Sequence, residues 1–370
     1  MARAWAEVDL DAIRHNVRTL RAIARPARFC AVVKANGYGH GAAAVGRAAM
    51  EGGADWLAVA QVDEAVVLRD AGIEAPLLLL SEPRPDEIDD AVATGARLTV
   101  YTSACIAAVA KSVLASRGPA VPLHLKVDTG MHRVGAAPAD VVPLARAIGE
   151  LNEVRLEGLC THCPVADEPD NPFTAEQMRV FDAVRAELRE AGIVPEIVHA
   201  ANSAATLMHP DTRGDLVRCG IAVYGVPPAP AFAGLADLRP ALTLASEVSF
   251  VKPVAAGEAI SYGHRHRFAH DTVVATVPIG YADGVFRSLG LAGQEVLIGG
   301  QRLPIVGVIT MDQLMVDCGP GAEVQPGDAV VLLGEQDDRR ITPDEWAAKL
   351  GTISYEVVCA LGGRVARRYR

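Results

Sequence analysis

Short apolar runs alternate with longer amphipathic runs through the first two thirds of the chain. The apolar runs cover residues 29–34, 56–60, 75–80, 96–101, 121–127, 155–160, 196–200 and 216–223. Their length and their content of Val, Leu and Ile predict buried strands. Helical periodicity fills the intervals, most clearly at 103–116, 139–151 and 174–191. Gly72, Gly95, Gly118 and Gly192 stand where a helix C-terminus needs a residue that tolerates positive φ. Eight strand-like runs separated by helices predict an α/β fold, a (β/α)8 TIM-type barrel in preference to an open sheet. An open doubly wound sheet stays as the alternative, because closure leaves no mark on a sequence.

The pattern changes after Val226-Pro227-Pro228-Ala229-Pro230. Runs at 242–254, 272–277, 295–309 and 329–333 are β-like and separated by Gly and Pro turns, and only 342–350 reads as helix. The expected division is therefore a barrel over 1–230 and a β-rich domain over 231–370, each within the usual domain range. No solenoid-type repeat or low-complexity tract appears.

Composition narrows the function. Of the 370 residues, 50% are hydrophobic and 22% charged, enough apolar matter for a large core. A net charge of −10 speaks against nucleic acid or an anionic membrane as partner. The segment 1–9 has no apolar signal core, and no apolar run approaches the roughly 20 residues of a membrane span. The expectation is a soluble cytoplasmic protein. Seven cysteines make no disulfide framework in a chain of this length. Cys160 and Cys163 have CxxC spacing but no second ligand pair and no thioredoxin-like context, so they are read as free thiols.

Barrel enzymes place their chemistry at the C-terminal ends of the strands. Lys34 ends the first run and is followed by glycines at 37, 39 and 41. A lysine there is costly unless its charge is used or removed, and burial lowers an amine's pKa in a way that suits Schiff-base chemistry. For an arbitrary strand-end lysine, snorkelling to solvent is the better reading. Its neighbours change that. Lys126, Asp128 and Arg133 follow the fifth run, His162 ends the sixth, His199, Asn202 and Ser203 end the seventh, and Arg218 lies in the eighth before Gly220 and Ile221. Such a mouth is basic and rich in donors, and it suits an anionic small molecule carrying a phosphate and a carboxylate. No metal-ligand cluster is present. The His264-Arg265-His266 run reads as a solvated loop, because cationic neighbours discourage a metal.

These residues resemble the alanine racemases, pyridoxal-phosphate enzymes of fold type III. The matching segments are 31–41 (AVVKANGYGHG), 126–135 (KVDTGMHRVG), 161–162, 166–169 (ADEP), 199–203, 217–218, 220–225, 260–263 (ISYG), 278–284 (PIGYADG), 311–317 (MDQLMVD) and 351–357 (GTISYEV). They occur in order on both sides of the break. The resemblance implies pyridoxal 5'-phosphate as cofactor, a small amino acid as substrate and a head-to-tail homodimer with shared active sites. It implies Lys34 as the lysine that carries the cofactor and as one catalytic base, with Tyr262 as the other. Tyr38, Ser203, Gly220, Ile221 and Tyr355 would hold the phosphate. Arg218 would face the pyridine nitrogen, with His162 beside it. Arg133 and the Met311 backbone would take the substrate carboxylate. Lys126 would be the position that can be carbamylated, and Tyr281 and Asp312 would line the entry, although a turn aspartate is an equal reading of Asp312. Cys163-Pro164 departs from the aromatic and small residues usual there. The implied reaction is interconversion of L- and D-alanine, supplying D-alanine for peptidoglycan. A racemase that also accepts serine and a fold-type III amino-acid decarboxylase are the alternatives, the latter opposed by the motifs around Tyr262 and Met311.

Overall fold

The computed structural model describes residues 3–370; Met1 and Ala2 lie outside it. The chain forms two compact units. One comprises Asp11–Gly37 and Ala42–Arg239; the other comprises the segment up to Leu10, Tyr38–Gly41 and Pro240–Arg370.

The first unit holds eight parallel strands: Arg28–Val32, Trp56–Val59, Leu77–Leu79, Arg97–Val100, Val121–Lys126, Val154–Cys160, Ile197–His199 and Leu216–Cys219. They pair in chain order, with Leu216–Cys219 also beside Arg28–Val32. The remaining gap is bridged by backbone bonds: Asp215 N–H donates to Val198 O at 2.7 Å and Arg218 N–H to Ala201 O at 2.9 Å. The sheet thus closes on itself, which decides between the barrel and the open sheet. The strands match the eight predicted runs because nearly every position is buried, the signature of a sheet covered on both faces.

The helices between the strands bury one stripe each. Phe173–Glu190 turns Phe181, Val184 and Leu188 inward, at spacings of three and four. Gly72, Gly95 and Gly192 adopt φ of 75°, 64° and 76° just beyond helix ends, as expected. Gly118 does not. The helix Ser103–Ser116 is closed by Arg117 at φ 52°, one residue earlier. The turn needed a left-handed residue one position before the available glycine.

One local irregularity matters later. Leu123 pairs with Leu156, but His124 pairs with Gly158, so Glu157 is an extra residue in its strand. Such a bulge re-aims a side chain. Here it leaves Glu157 buried beside His124. Gly158 then faces the His124 imidazole, and a Cβ at 158 would overlap the ring, 2.8 Å from Cγ.

The second unit is a mainly antiparallel β structure. Its long sheet runs Phe250–Val254, Thr272–Val277, Leu314–Gly319, Gln301–Val306, Glu295–Ile298, Ala329–Gln336, Leu242–Glu247, Ala4–Val8, Ala366–Tyr369. The first strand of the chain, Ala4–Val8, pairs antiparallel with Leu242–Glu247 and parallel with Ala366–Tyr369. Arg368 stacks over Trp5 at 4.1 Å across that edge. The expected helix near 342–350 is Pro343–Leu350, started by a capping box of Thr342 and Glu345 and stopped by Gly351 at φ 69°. A second helix, Ser354–Cys359, was not expected. It is too short to show a helical period, and its Val357-Val358 pair favours strand by propensity.

Replacing Gly158 with alanine should destabilise the protein by about 1–3 kcal/mol, the usual range for overpacking a closed core. Urea unfolding measures this. An unchanged midpoint would mean that His124 has room to retreat.

Candidate active site

Lys34 follows the buried strand Arg28–Val32 and is half-buried. The backbone after it turns left-handed over four successive residues, with φ of 52° at Ala35, 50° at Asn36, 61° at Gly37 and 49° at Tyr38. Each non-glycine residue in that conformation costs about 1–2 kcal/mol. The turn is held by Gly37 N–H donating to Val33 O at 2.8 Å and by Asn36 Oδ1 accepting from Ala42 N–H at 3.0 Å. Ala35 N–H donates to the Glu64 carboxylate. Strain this local persists because the surrounding bonds over-determine it. The sequence showed the glycines but not that Ala35, Asn36 and Tyr38 share their conformation.

Arg218, 6% exposed, is the hub of the barrel mouth. Its Nη1 donates to His199 Nδ1 at 2.6 Å. Its Nη2 is shared among Thr161 O at 2.9 Å, Ala200 O at 3.0 Å and His162 Nδ1 at 3.2 Å. Arginine only donates, so both imidazoles accept at Nδ1 and carry any proton on Nε2. Burial and the positive charge of Arg218 hold His162 well below its ordinary pKa, and Lys126, Arg133 and Lys34 add to the effect. The lysines and arginines read from separate strand ends therefore act on one imidazole. His199 is held low in the same way, by burial first and Arg218 second. Burial also lowers the Lys126 amine, helped by the charges of Arg218 and Arg133. Register explains the grouping: Lys126 pairs with Cys160, Cys160 with His199, and Cys30 with Arg218.

Ser203 opens the helix Ser203–Met208, whose N-cap is Asn202, accepting from Ala205 N–H at 3.0 Å. Its Oγ accepts from Gly220 N–H at 2.9 Å and Ala222 N–H at 3.4 Å. With its lone pairs occupied, the hydroxyl keeps its proton to donate to an anion. Ser203, Gly220 and Ile221 are thus assembled at one turn. The thiols nearby are not. Burial keeps Cys160 protonated and pushes Cys163 up to about 11, and both are free.

The second unit assembles its own set. Tyr38 and Tyr355 have ring centroids 6.3 Å apart. Arg367 Nε donates to Gly39 O at 2.9 Å and ties the residues after Tyr38 to the C-terminal strand. Tyr262 is 71% exposed and follows Ser261, which sits at φ 63°. Ser261 Oγ donates to Val308 O at 2.6 Å. Tyr281 N–H donates to Thr310 O at 3.0 Å, and Ala282 N–H to Met311 O at 3.1 Å. The exposed side chains of Tyr262, Tyr281 and Met311 are therefore gathered around residues 308–312. Asp312 is paired with Arg364 at 2.7 Å. His264 and Arg265 are exposed, as expected, whereas His266 is half-buried in the short strand His266–Arg267, its ring edge-on to Phe268 at 4.8 Å. Among the described residues no cluster of three His, Cys, Asp or Glu could hold a metal, and no helix is long and apolar enough to cross a membrane.

Two residues of the barrel interior went unremarked in the sequence: His124 and Glu157. The signal was present, an ionisable residue in the middle of each of two apolar strands.

Comparison with known proteins decides the family. Residues 8–228 match the model of the alanine racemase N-terminal domain and residues 241–369 that of the C-terminal domain. The chain belongs to the alanine racemase family. Its curated relatives include the alanine racemase of Symbiobacterium thermophilum, 47% identical over 100% of this chain and 97% of the relative. That of Mycobacterium tuberculosis strain H37Rv is 45% identical over 99% and 96%. The crystal structure of alanine racemase from a D-cycloserine-producing Streptomyces lavendulae superposes with a TM-score of 0.93 at 40% identity, covering 100% of this chain and 97% of that one. The alanine racemase of Bacillus anthracis with bound L-Ala-P gives 0.93 at 38% identity, covering 100% and 95%. Members of the family are isomerases that depend on pyridoxal 5'-phosphate. The donor set of the barrel fits that group: a lysine at a strand end, a hydroxyl proton beside glycine N–H groups, and a guanidinium that can only donate.

The buried histidines should make the protein acid-sensitive. His124 and His199 are neutral when folded, with depressed pKa values, whereas unfolding returns them to about 6.5. Below about pH 6.5 the unfolded chain binds more protons than the folded one, so this stabilisation is complete above the window and is lost as pH falls. The slope reaches about 1.4 kcal/mol per pH unit for each histidine. Glu157 is not involved: despite its burial, His124 and Arg97 hold it down to about 2. Urea unfolding from about pH 7.5 to about pH 5 should show the decline. A flat profile would mean that these imidazoles are already charged in the folded protein.

Proposed function

We propose that this chain interconverts L- and D-alanine by a two-base mechanism, with Lys34 and Tyr262 on opposite faces of the substrate. The observation that carries this reading is Arg218, a buried guanidinium whose bonded acceptors are all neutral. Pyridoxal phosphate, when bound, supplies the electron withdrawal that acidifies the α-hydrogen. Arg218 would face the ring nitrogen and cannot surrender its proton, so it would limit that withdrawal and disfavour transamination. Ser203, Gly220, Ile221, Tyr38 and Tyr355 are the residues that would hold the cofactor's phosphate. Lys34 removes or returns a proton at the α-carbon from one side. Tyr262 does so from the other.

Arg133 and the Met311 backbone orient the substrate carboxylate, and Tyr281 and Asp312 line the entry. The depressed Lys126 amine supports carbamylation: its nitrogen adds to carbon dioxide, releases a proton to solvent and becomes an anion that pairs with Arg133. The solved relative with bound L-Ala-P supports alanine as substrate. Exposure of Tyr262, Tyr281 and Met311 together supports a head-to-tail homodimer in which the β unit of one chain completes the site of its partner. The cell biology that follows is a cytoplasmic enzyme supplying D-alanine for peptidoglycan.

Chiral chromatography of L-alanine incubated with the holoenzyme tests the reaction, with Lys34→Ala as the inactive control. Borohydride reduction and peptide mapping should place the cofactor on Lys34. An adduct on another lysine overturns the assignment. Tyr262→Phe should slow α-hydrogen exchange of L-alanine with deuterated water more than that of D-alanine, and equal loss would contradict two separate bases.

Mixing Lys34→Ala with Tyr262→Phe after reversible dissociation tests the shared site. Half the dimers are then mixed, each with one intact site, so roughly a quarter of wild-type activity should return. No recovery, with heterodimers present, would place both bases on one chain.

A further inference from the structure

We propose that Glu157 and the two imidazoles His124 and His199 form a positioning chain that fixes the orientation of Arg218 and carries its counter-charge through the barrel interior. The inference rests on the reading that Arg218 faces the cofactor's ring nitrogen.

A buried cation needs a partner. The acceptors bonded to Arg218 are two backbone carbonyls and two neutral imidazoles, and among the described residues no carboxylate forms an ion pair with it. A hydrogen-bonded route from Arg218 to a carboxylate runs through His199. Its Nε2 lies 2.7 Å from His124 Nδ1, and His124 Nε2 lies 3.0 Å from Glu157 Oε2. His124, His199 and Glu157 are 0%, 1% and 3% exposed.

The direction of every hydrogen in this chain follows from its two ends. Arg218 can only donate, so His199 accepts at Nδ1 and holds its proton on Nε2. His199 therefore donates to His124 Nδ1, and His124 holds its own proton on Nε2. That proton goes to Glu157, which is ionised and can only accept. Cation, imidazole, imidazole and carboxylate are linked head to tail, and each bond polarises the next. Burial keeps both imidazoles neutral, as this arrangement requires. Nothing in the chain is transferred; it orients.

The fold spends local irregularity on this arrangement. The bulge at 157 turns the carboxylate inward, and Gly158 leaves room for the His124 ring. The competing reading makes Glu157 a structural ion-pair partner. Arg155 Nη2 does donate to its Oε1 at 2.7 Å, and Arg97 Nε to its Oε2 at 3.1 Å. Those pairs alone would not require two hydrogen-bonded histidines, edge-on to one another, between Glu157 and Arg218.

Nitrogen-15 NMR of the holoenzyme labelled in histidine tests the chain directly, with His124→Asn and His199→Asn for assignment. Both imidazoles should be neutral near pH 7 with the proton on Nε2. A proton on Nδ1 of either, or an imidazolium, overturns the proposal, and this reading needs no variant of Glu157 to fold. Glu157→Gln keeps an accepting oxygen but loses the charge. It should lower kcat by about tenfold with less than about a twofold change in KM, and shift the cofactor's visible absorption. Glu157→Asp should recover part of both. Arg155→Met removes an ion pair from Glu157 without touching the chain, and should lower the melting temperature while leaving kcat and the absorption band in place. If Glu157→Gln behaves like Arg155→Met, Glu157 is structural and the proposal fails. Arg218→Lys separates the two readings: normal kcat and an unmoved band in that variant would overturn the placement of Arg218 against the ring, whatever the tautomers show. Reversed tautomers with a strongly impaired Arg218→Lys would overturn the chain alone.

Discussion

A guanidinium enclosed in the mouth of a parallel barrel, with neutral groups as its bonded acceptors, is the constraint around which the site is built. Arg218 cannot be neutralised by losing a proton, so its surroundings must adapt. Backbone carbonyls of Thr161 and Ala200 turn toward it, and His162 and His199 present their acceptor nitrogens. The same charge then acts on its neighbours. With burial, it holds both imidazoles neutral and lowers the Lys126 amine. The positive field favours an anionic cofactor and makes neutral imidazole, rather than imidazolium, the working form of each histidine.

Strain is placed beside this charge rather than within it. Ala35, Asn36 and Tyr38 adopt a left-handed conformation that only glycine takes freely. The turn persists because Glu64, Val33 and Asn36 supply bonds that an ordinary loop would leave to water. The result is a lysine at a fixed position at a strand end, with little freedom in the chain that follows it. In the β unit, Ser261 at φ 63° fixes the approach to Tyr262 in a similar way.

Much of this was legible beforehand, for identifiable reasons. Strands buried on both faces read as unbroken apolar runs, so eight of them could be counted. The C-terminal end of each run locates the mouth, so Lys34, Lys126, His162, His199 and Arg218 could be named as candidates. Free thiols followed from spacing without a second ligand pair. The helix Ser354–Cys359, which carries Tyr355, was missed because a turn and a half has no period and its valines suggest strand.

The sequence alone therefore determined the alternation of elements, the strand-end location of the polar residues and, through ordered motifs, the family. Those depend on local pattern and residue chemistry, which a linear chain displays. Tertiary structure decided what depends on register and on pairing between distant segments. The sheet closes through bonds from Asp215 and Arg218, Ala4–Val8 joins the β unit, and the bulge at Glu157 turns a carboxylate toward His124. A one-residue shift in register reverses which face a side chain occupies, and no pattern along the chain reports which shift the folded sheet has made.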